Sequence, residues 1–167
     1  GLLTFLASLW WAVGLLIEGS YGMGILRFTE SVGVVSHTST ATEVLRGLGY
    51  WFFYGGDLRG PWNDAVLDFT RRAWLIPISF SIPFLAMFAA GFTRWRHRAY
   101  FIGLILLGTV IAVAASPYES PTALGSIFKA FATSSTAGFA LRSTARAVPM
   151  LVLGLAVLLG VGVSAWW

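Results

Sequence analysis

Cysteine is absent from this chain of 167 residues, and histidine occurs only twice. Without a thiol the chain can form no disulfide and no thiolate metal site. His37 and His97 are far apart in the sequence, and no metal-ligand spacing surrounds either of them. The sequence therefore predicts no metal site and shows no sign of a cofactor, and it leaves metal dependence open.

Charged residues are also scarce: they make up 11% of the chain, whereas 57% of the residues are hydrophobic. Soluble globular domains carry about 25% charged residues. The composition is therefore that of an integral membrane protein. The formal net charge of +4 is spread thinly and no nucleic-acid-binding motif accompanies it, so we expect no nucleic-acid partner.

Four stretches contain no charged residue, and each is close to the roughly 20 residues that a membrane-spanning helix needs. They are residues 1–17, 73–93, 99–115 and 147–167. Pro77 and Pro83 lie in the second stretch, where proline is expected to kink a helix. The sequence thus predicts an all-α integral membrane protein with about four transmembrane helices.

The charged residues lie in three connections between these stretches, residues 18–72, 94–98 and 116–146. A charge at the bilayer centre costs roughly 3 kcal/mol on insertion scales, so the two long connections should stay outside the hydrocarbon. The distribution of Lys and Arg leaves the orientation open. The chain starts without methionine and inside an apolar stretch, which predicts that residues 1–167 are one part of a longer polytopic chain.

Both long connections contain signals for short amphipathic helices. In the first, Thr40 and Glu43 form a capping box, and apolar residues follow at helical spacing as far as the glycine pair at 55–56. Asn63 is placed to cap a further helix that continues into the second span. In the second connection, a helix should start with Ser120 as its N-cap, and the polar residues 133–136 should break it.

Five consecutive aromatic residues, at positions 50–54, precede two glycines and an aspartate. One interpretation is a membrane-interface helix, because Trp and Tyr favour the headgroup level. The other is a substrate platform on which aromatic rings stack against sugar rings or prenyl chains. The glycines would let the backbone approach a ligand closely. In the second interpretation the substrate-contacting residues are Tyr50, Trp51, Tyr54, Asp57 and Trp62.

Arg142 and Arg146 are four residues apart, so on a helix they would share one face at the start of the last span. Helix N-termini and guanidinium groups both favour phosphate, which makes this pair the candidate site for a lipid phosphate. Anchoring of the span to ordinary headgroups is the alternative. We expect Glu43 with Arg46 to form a surface pair, and His37 and Lys129 to be solvated.

Two segments resemble a known family. They are TEVLRGLGYWFFYGGDLRGPW at residues 42–62 and ALRSTARAVPMLVLGLA at residues 140–156. Both are similar to segments of the large actinobacterial (mycobacterial) cell-wall α-(1→3)-arabinofuranosyltransferase of the GT-C class. The resemblance extends over most of the chain, and the first segment is the more specific.

This resemblance implies a GT-C fold and a multi-pass enzyme of the plasma (inner) membrane, with its long loops in the periplasm. The donor would be decaprenyl-phosphate-linked arabinofuranose, and the acceptor would be arabinan of arabinogalactan or lipoarabinomannan. GT-C enzymes place a catalytic acid in an early external loop, and neither Glu18 nor another acid here matches that position. The catalytic residue is therefore expected before Gly1, and residues 1–167 alone should supply binding surface without activity.

A transporter or flippase segment, which binds a lipid-linked substrate without chemistry, is the rival interpretation. Transporters place polar groups and broken helices at the bilayer midplane. Here the predicted spans carry no charge and the polar groups lie in the connections, which favours the enzyme. The sequence does not indicate the oligomeric state.

Overall fold

The computed structural model describes residues 2–21 and 28–167; in the first helix it describes the side chains of residues 2–14 and 17. The chain divides into two compact units, Gly1–Ser31 and Val32–Trp167, which we describe separately. In the first unit, helix α1 spans Leu2–Tyr21. It continues past residue 17, where the sequence predicted that the first connection begins. Residues 22–27 of that connection lie outside the described residues.

The second unit is mainly helical, with two short 3₁₀ turns and one small hairpin. Its helices are α2 Val32–Thr38, α3 Ala41–Leu45, α4 Asp64–Arg71, α5 Leu75–Phe92, α6 Arg98–Val113, α7 Ala123–Ser134, α8 Thr136–Ala140 and α9 Val148–Ser164. The 3₁₀ turns are Trp51–Phe53 and Thr144–Ala147, and the antiparallel strands are β1 Gly56–Asp57 and β2 Gly60–Pro61.

Two segments of the described chain are long and apolar enough to cross a membrane, Leu75–Phe92 and Thr144–Ser164. The first lies within the predicted span 73–93, and the second overlaps the predicted span 147–167. Helix α6 and the segment Leu2–Gly14 are apolar but shorter. At 1.5 Å per residue, the 16 residues of α6 extend about 24 Å, less than the roughly 30 Å hydrocarbon thickness. The membrane class is supported, and four spans stay a prediction.

Helix α9 packs against both α5 and α6, and small residues allow the close approach. A methyl group on Gly154 would lie 2.6 Å from Ile105 Cγ1 of α6, and one on Gly162 would lie 2.5 Å from Ala89 Cβ of α5. Glycine at such positions lets two helix backbones approach each other, as in membrane helix pairs. Leu151 and Leu158 of α9 are fully buried in the core that results.

The prolines of α5 occupy different positions in the helix. Pro83 lies inside the helix. Pro77 is the third residue, in the first turn, where the backbone N–H has no intrahelical partner in any case. Pro77 therefore removes no helical hydrogen bond, and the predicted kink of the span depends on Pro83, where proline does remove one.

The first long connection starts as predicted and then departs from the prediction. Thr40 is the N-cap of α3, and its Oγ1 accepts a hydrogen bond of 3.4 Å from the Glu43 N–H. The helix does not reach the glycine pair at 55–56, because it ends at Leu45. Gly47 and Gly49 follow with φ of +78° and +97°, a left-handed conformation that terminates a helix. The aromatic run therefore forms a separate 3₁₀ turn.

Two further helix boundaries differ from the sequence prediction. Asn63 precedes α4 as expected, but its side chain makes no capping hydrogen bond. Helix α4 ends at Arg71 and Arg72 is extended, so α4 does not continue into α5.

In the second connection the N-cap of α7 is Thr122 rather than Ser120; the Thr122 Oγ1 accepts a hydrogen bond from the Gly125 N–H at 3.1 Å. The predicted break is confirmed, since Ser135 ends α7 and caps α8.

Candidate substrate-binding surface

A buried arginine ties the first long connection to the start of α5. The Arg46 side chain is 2% exposed, and its Nη1 donates to Glu43 Oε1 at 2.6 Å. Its Nε donates to Ser79 Oγ at 2.6 Å, and its Nη2 donates to the Phe69 carbonyl. The guanidinium also lies 5.6 Å from the centre of the Phe80 ring. The prediction of a surface pair is wrong, because α3, α4 and α5 enclose this charge together.

Tyr54, the last residue of the aromatic run, belongs to the same network. Its hydroxyl donates to Glu43 Oε2 at 2.5 Å. Burial raises the pKa of Tyr54 above its usual value, and the hydrogen bond to Glu43 and the charge of that carboxylate raise it further. Each oxygen of Glu43 therefore has a partner, one in Arg46 and the other in Tyr54. Because Tyr54 is the last residue of the aromatic run, this network holds the end of the run against Glu43 of α3.

The other aromatic residues pack into one cluster. Trp62 lies edge-on to Trp51 with ring centres 5.6 Å apart, and is stacked on Phe52 at 5.7 Å with 24° between planes. Tyr50 lies against Trp51 at 5.7 Å. Phe52 is 39% exposed and Trp62 is 43% exposed, so the stacked pair faces outward. We call Tyr50, Trp51, Phe52 and Trp62 the aromatic face.

Gly55 is required for this packing. A methyl group at Gly55 would lie 2.2 Å from Trp62 Cζ3, a distance that real Cβ contacts do not show. The strands β1 and β2 then pair Gly56 with Pro61 and bring Trp62 back across the aromatic run. The sequence analysis did not predict this hairpin. Its signal was Asp57 followed three residues later by Gly60, a turn pattern between two short extended segments.

Asp57 lies at the tip of the hairpin, where its Oδ1 accepts a hydrogen bond of 2.8 Å from the Arg59 N–H. Its carboxylate therefore stabilises the turn, and the residue is exposed. Trp51 differs from the other rings because its Nε1, although buried, has no hydrogen-bond partner among the described residues.

One contact joins the second long connection to the first, and a second contact holds the second connection together internally. His37 Nε2 lies 3.2 Å from Glu119 Oε1. Lys129 Nζ donates to the Tyr118 carbonyl at 2.7 Å and lies 3.8 Å from the centre of the Tyr118 ring. His37 is solvated as predicted, since its side chain is 58% exposed, although it also contacts Glu119. The prediction that Lys129 is simply solvated is wrong, because its ammonium group is bonded to Tyr118. Sequence reasoning missed the contact of His37 with Glu119 because the two residues are far apart in the chain.

Arg142 and Arg146 do not share the face of a helix. The 3₁₀ turn begins at Thr144, so Arg142 precedes it, and Thr144 Oγ1 donates to the Ala112 carbonyl of α6 at 3.1 Å. The Arg142 side chain is buried: its Nη1 donates to the Phe139 carbonyl at 2.8 Å, and its guanidinium lies 4.3 Å from the Phe139 ring. Arg146 is exposed. The four-residue spacing predicted a shared face only for a continuous helix.

Among residues 2–21 and 28–167, no group of three or more His, Asp or Glu side chains could hold a metal ion. Several charged side chains of this surface take part in structural contacts, among them Glu43, Arg46 and Arg142.

The comparisons with known proteins agree with the membrane class. The family model for the N-terminal GT-C domain of alpha-(1->3)-arabinofuranosyltransferase matches residues 2–166. The chain belongs to this family, and it is part of a glycosyltransferase-type enzyme domain. Comparisons with curated proteins and with solved structures return no significant match. The resemblance inferred from the two sequence segments is confirmed.

Proposed function

We propose that this chain is part of a membrane arabinofuranosyltransferase that moves arabinofuranose from decaprenyl-phosphate-arabinose to cell-wall arabinan. The match of the family model over residues 2–166 is the observation that carries the proposal. Membership of a glycosyltransferase family also weighs against the transporter or flippase alternative. In this proposal residues 1–167 belong to one polytopic transmembrane module, and the long connections lie on the periplasmic side.

The aromatic face is the proposed contact surface for the arabinan acceptor. A sugar ring presents C–H groups on its faces and hydroxyls at its edge, so it fits a flat apolar surface bordered by polar groups. Phe52 and Trp62 provide the exposed rings, and Asp57 provides a carboxylate at the border. The site needs rigid support, because binding groups must be held close to their productive geometry. The network of Arg46, Glu43 and Tyr54 provides that support.

Tyr54 has a positioning role in this proposal, since its hydroxyl is bonded to Glu43. Tyr50 and Trp51 lie behind the stacked pair and complete the surface. Both are partly buried, and Trp51 packs directly on Trp62. A change at Trp51 should therefore act mainly through the orientation of Trp62.

Arg142 and Arg146 remain the proposed site for the donor phosphate, in a modified form. Arg146 is exposed at the start of a candidate span, where a phosphate at the membrane boundary can reach a guanidinium. Arg142 is packed on Phe139 and would stabilise the segment that presents Arg146. The carboxylate that deprotonates the acceptor hydroxyl as a general base is proposed to lie outside residues 1–167.

Alanine substitution at Trp62 and at Asp57 in the full-length enzyme tests the acceptor surface. Trp62→Ala should raise the KM for an arabinan acceptor several-fold while the KM for the donor stays unchanged, because only the acceptor meets these rings. Trp74→Ala is the matched control, since Trp74 is an exposed tryptophan directly before α5 and outside the aromatic face. Equal effects of Trp62→Ala and Trp74→Ala, or losses caused only by poor accumulation, would favour membrane anchoring instead.

A further inference from the structure

A large cleft lies between α5 and α9 at their C-terminal ends. Its volume is about 1090 Å³, and its wall includes Phe88 and Phe92 of α5 and Leu159 and Val163 of α9. Ligand pockets typically measure about 300–1,000 Å³, so the cleft can hold a sizeable ligand. It is separate from Arg146, because the 17 residues of α9 place its two ends about 25 Å apart.

The cleft lies at the level where a membrane changes from hydrocarbon to headgroups. The two candidate membrane spans end there, α5 at Phe92 and α9 at Ser164. Three tryptophans that line the cleft, at positions 95, 166 and 167, follow these helix ends. Tryptophan at the end of a membrane helix is typical of the interfacial level. An occupant of the cleft would therefore have one part in hydrocarbon and another among headgroups.

Arg94 is the only charged side chain among the described residues that line the cleft. It is exposed, and no ion pair or hydrogen bond joins its guanidinium to another described residue. The neighbouring arginine Arg98 is engaged, since its Nη1 donates to the Thr93 carbonyl at 3.2 Å at the end of α5. Arg96 is exposed but does not line the cleft.

The remaining polar side chains of the wall are already bonded within their own helices. Thr93 Oγ1 donates to the Ala89 carbonyl at 2.7 Å, and Ser164 Oγ donates to the Val161 carbonyl at 2.9 Å. An apolar wall with one cation at headgroup level is complementary to an apolar chain that carries an anionic head. Basic pockets between membrane helices bind lipid headgroups in this way.

We propose that this cleft binds an anionic glycerophospholipid of the surrounding leaflet, with an acyl chain along Phe88 and Val163 and the phosphate on Arg94. A zwitterionic lipid would fill the same apolar wall but would gain less from the unpaired guanidinium. An apolar protein segment would make no use of Arg94. The site goes beyond the proposed transfer reaction and does not depend on it.

The test uses the full-length enzyme in phosphatidylcholine nanodiscs that contain a small fraction of photoactivatable lipid. Phosphatidylglycerol and phosphatidylcholine probes with a diazirine on the acyl chain are compared, and crosslinks are mapped by mass spectrometry to residues 85–95 and 159–167. We expect the phosphatidylglycerol probe to label these peptides several-fold more, because both lipids carry a phosphate but the choline cation of phosphatidylcholine offsets the attraction to Arg94. Ala165→Trp, which fills the cleft, should lower labelling by both probes.

Arg94→Gln should remove the preference for phosphatidylglycerol, while Arg94→Lys should keep most of it because the charge remains. Arg96→Gln is the matched control and should keep the preference in full. The proposal is overturned if neither probe labels the cleft, if both label it equally in the wild type, or if Arg94→Gln and Arg96→Gln lose the preference equally. It is also overturned if decaprenyl phosphate displaces the probe and unlabelled phosphatidylglycerol at the same fraction does not.

Discussion

Removing the guanidinium of Arg46 should release the aromatic segment from the helices beneath it. Arg46→Met keeps an unbranched apolar side chain of similar length but leaves Glu43 Oε1, Ser79 Oγ and the Phe69 carbonyl without their donor. Breaking a buried ion pair from one side typically costs about 3–5 kcal/mol. The Glu43 side chain is 22% exposed, so water can reach the carboxylate and the lower figure, about 3 kcal/mol, applies.

Hydrogen exchange measured by mass spectrometry on the full-length enzyme reports this loss as local opening. A cost of about 3 kcal/mol corresponds to exchange on the order of a hundredfold faster, since 1.4 kcal/mol is a factor of ten. The acceleration should be confined to residues 47–62, because the core of α5, α6 and α9 does not contain Arg46. Arg59→Met is the control, since Arg59 is an exposed arginine of the same segment.

Combining Glu43→Gln with Arg46→Met removes both charges, so the double variant should lose less protection than the sum of the two single variants. Exchange at 47–62 that stays within about twofold of wild type in Arg46→Met would refute the reasoning. Equal acceleration in Arg46→Met and Arg59→Met would also refute it.

The remaining predictions concern Tyr54, helix packing, the donor site and topology. The pKa of Tyr54 in the folded state is raised above the usual value near 10, so the unfolded state loses the phenol proton first and the segment should become less stable as pH rises past about 10. Hydrogen exchange should report this loss, and the loss should be smaller in Glu43→Gln. Gly154→Ala should lower the thermal midpoint, since overpacking costs about 1–3 kcal/mol, whereas Gly160→Ala, with open space around it, should not. Arg146→Ala should weaken donor-analogue binding roughly tenfold to a hundredfold and Arg146→Lys should recover only part, whereas unchanged affinity would remove the donor site. A cysteine at the exposed Leu58 should react with an impermeant thiol reagent in intact cells and one at Arg96 should not; the reverse pattern would invert the topology.

The sequence alone determined the membrane class, because composition and long uncharged stretches reflect the medium that surrounds a chain. It also predicted local features correctly where the cause is local. Thr40 caps α3 because a hydroxyl at that position meets the N–H of Glu43, and Ser135 caps α8 because its hydroxyl meets the N–H of Gly138. The family resemblance depended on residues 42–62 and 140–156, and the first of these, a segment dense in aromatic residues and glycines, is the more specific.

Only the tertiary structure decided where the charged and aromatic side chains lie. Helical spacing placed the aromatic run on one short amphipathic helix that reaches the glycine pair at 55–56, but the left-handed Gly47 ends that helix early and the β-hairpin brings Trp62 back over Gly55. The same spacing paired Arg142 with Arg146, although Arg142 is buried against Phe139 before the helix begins. Arg46 looked like a surface residue because its partners Ser79 and Phe69 are distant in the chain. Burial and pairing depend on contacts between elements remote in sequence, which periodicity within one segment cannot report.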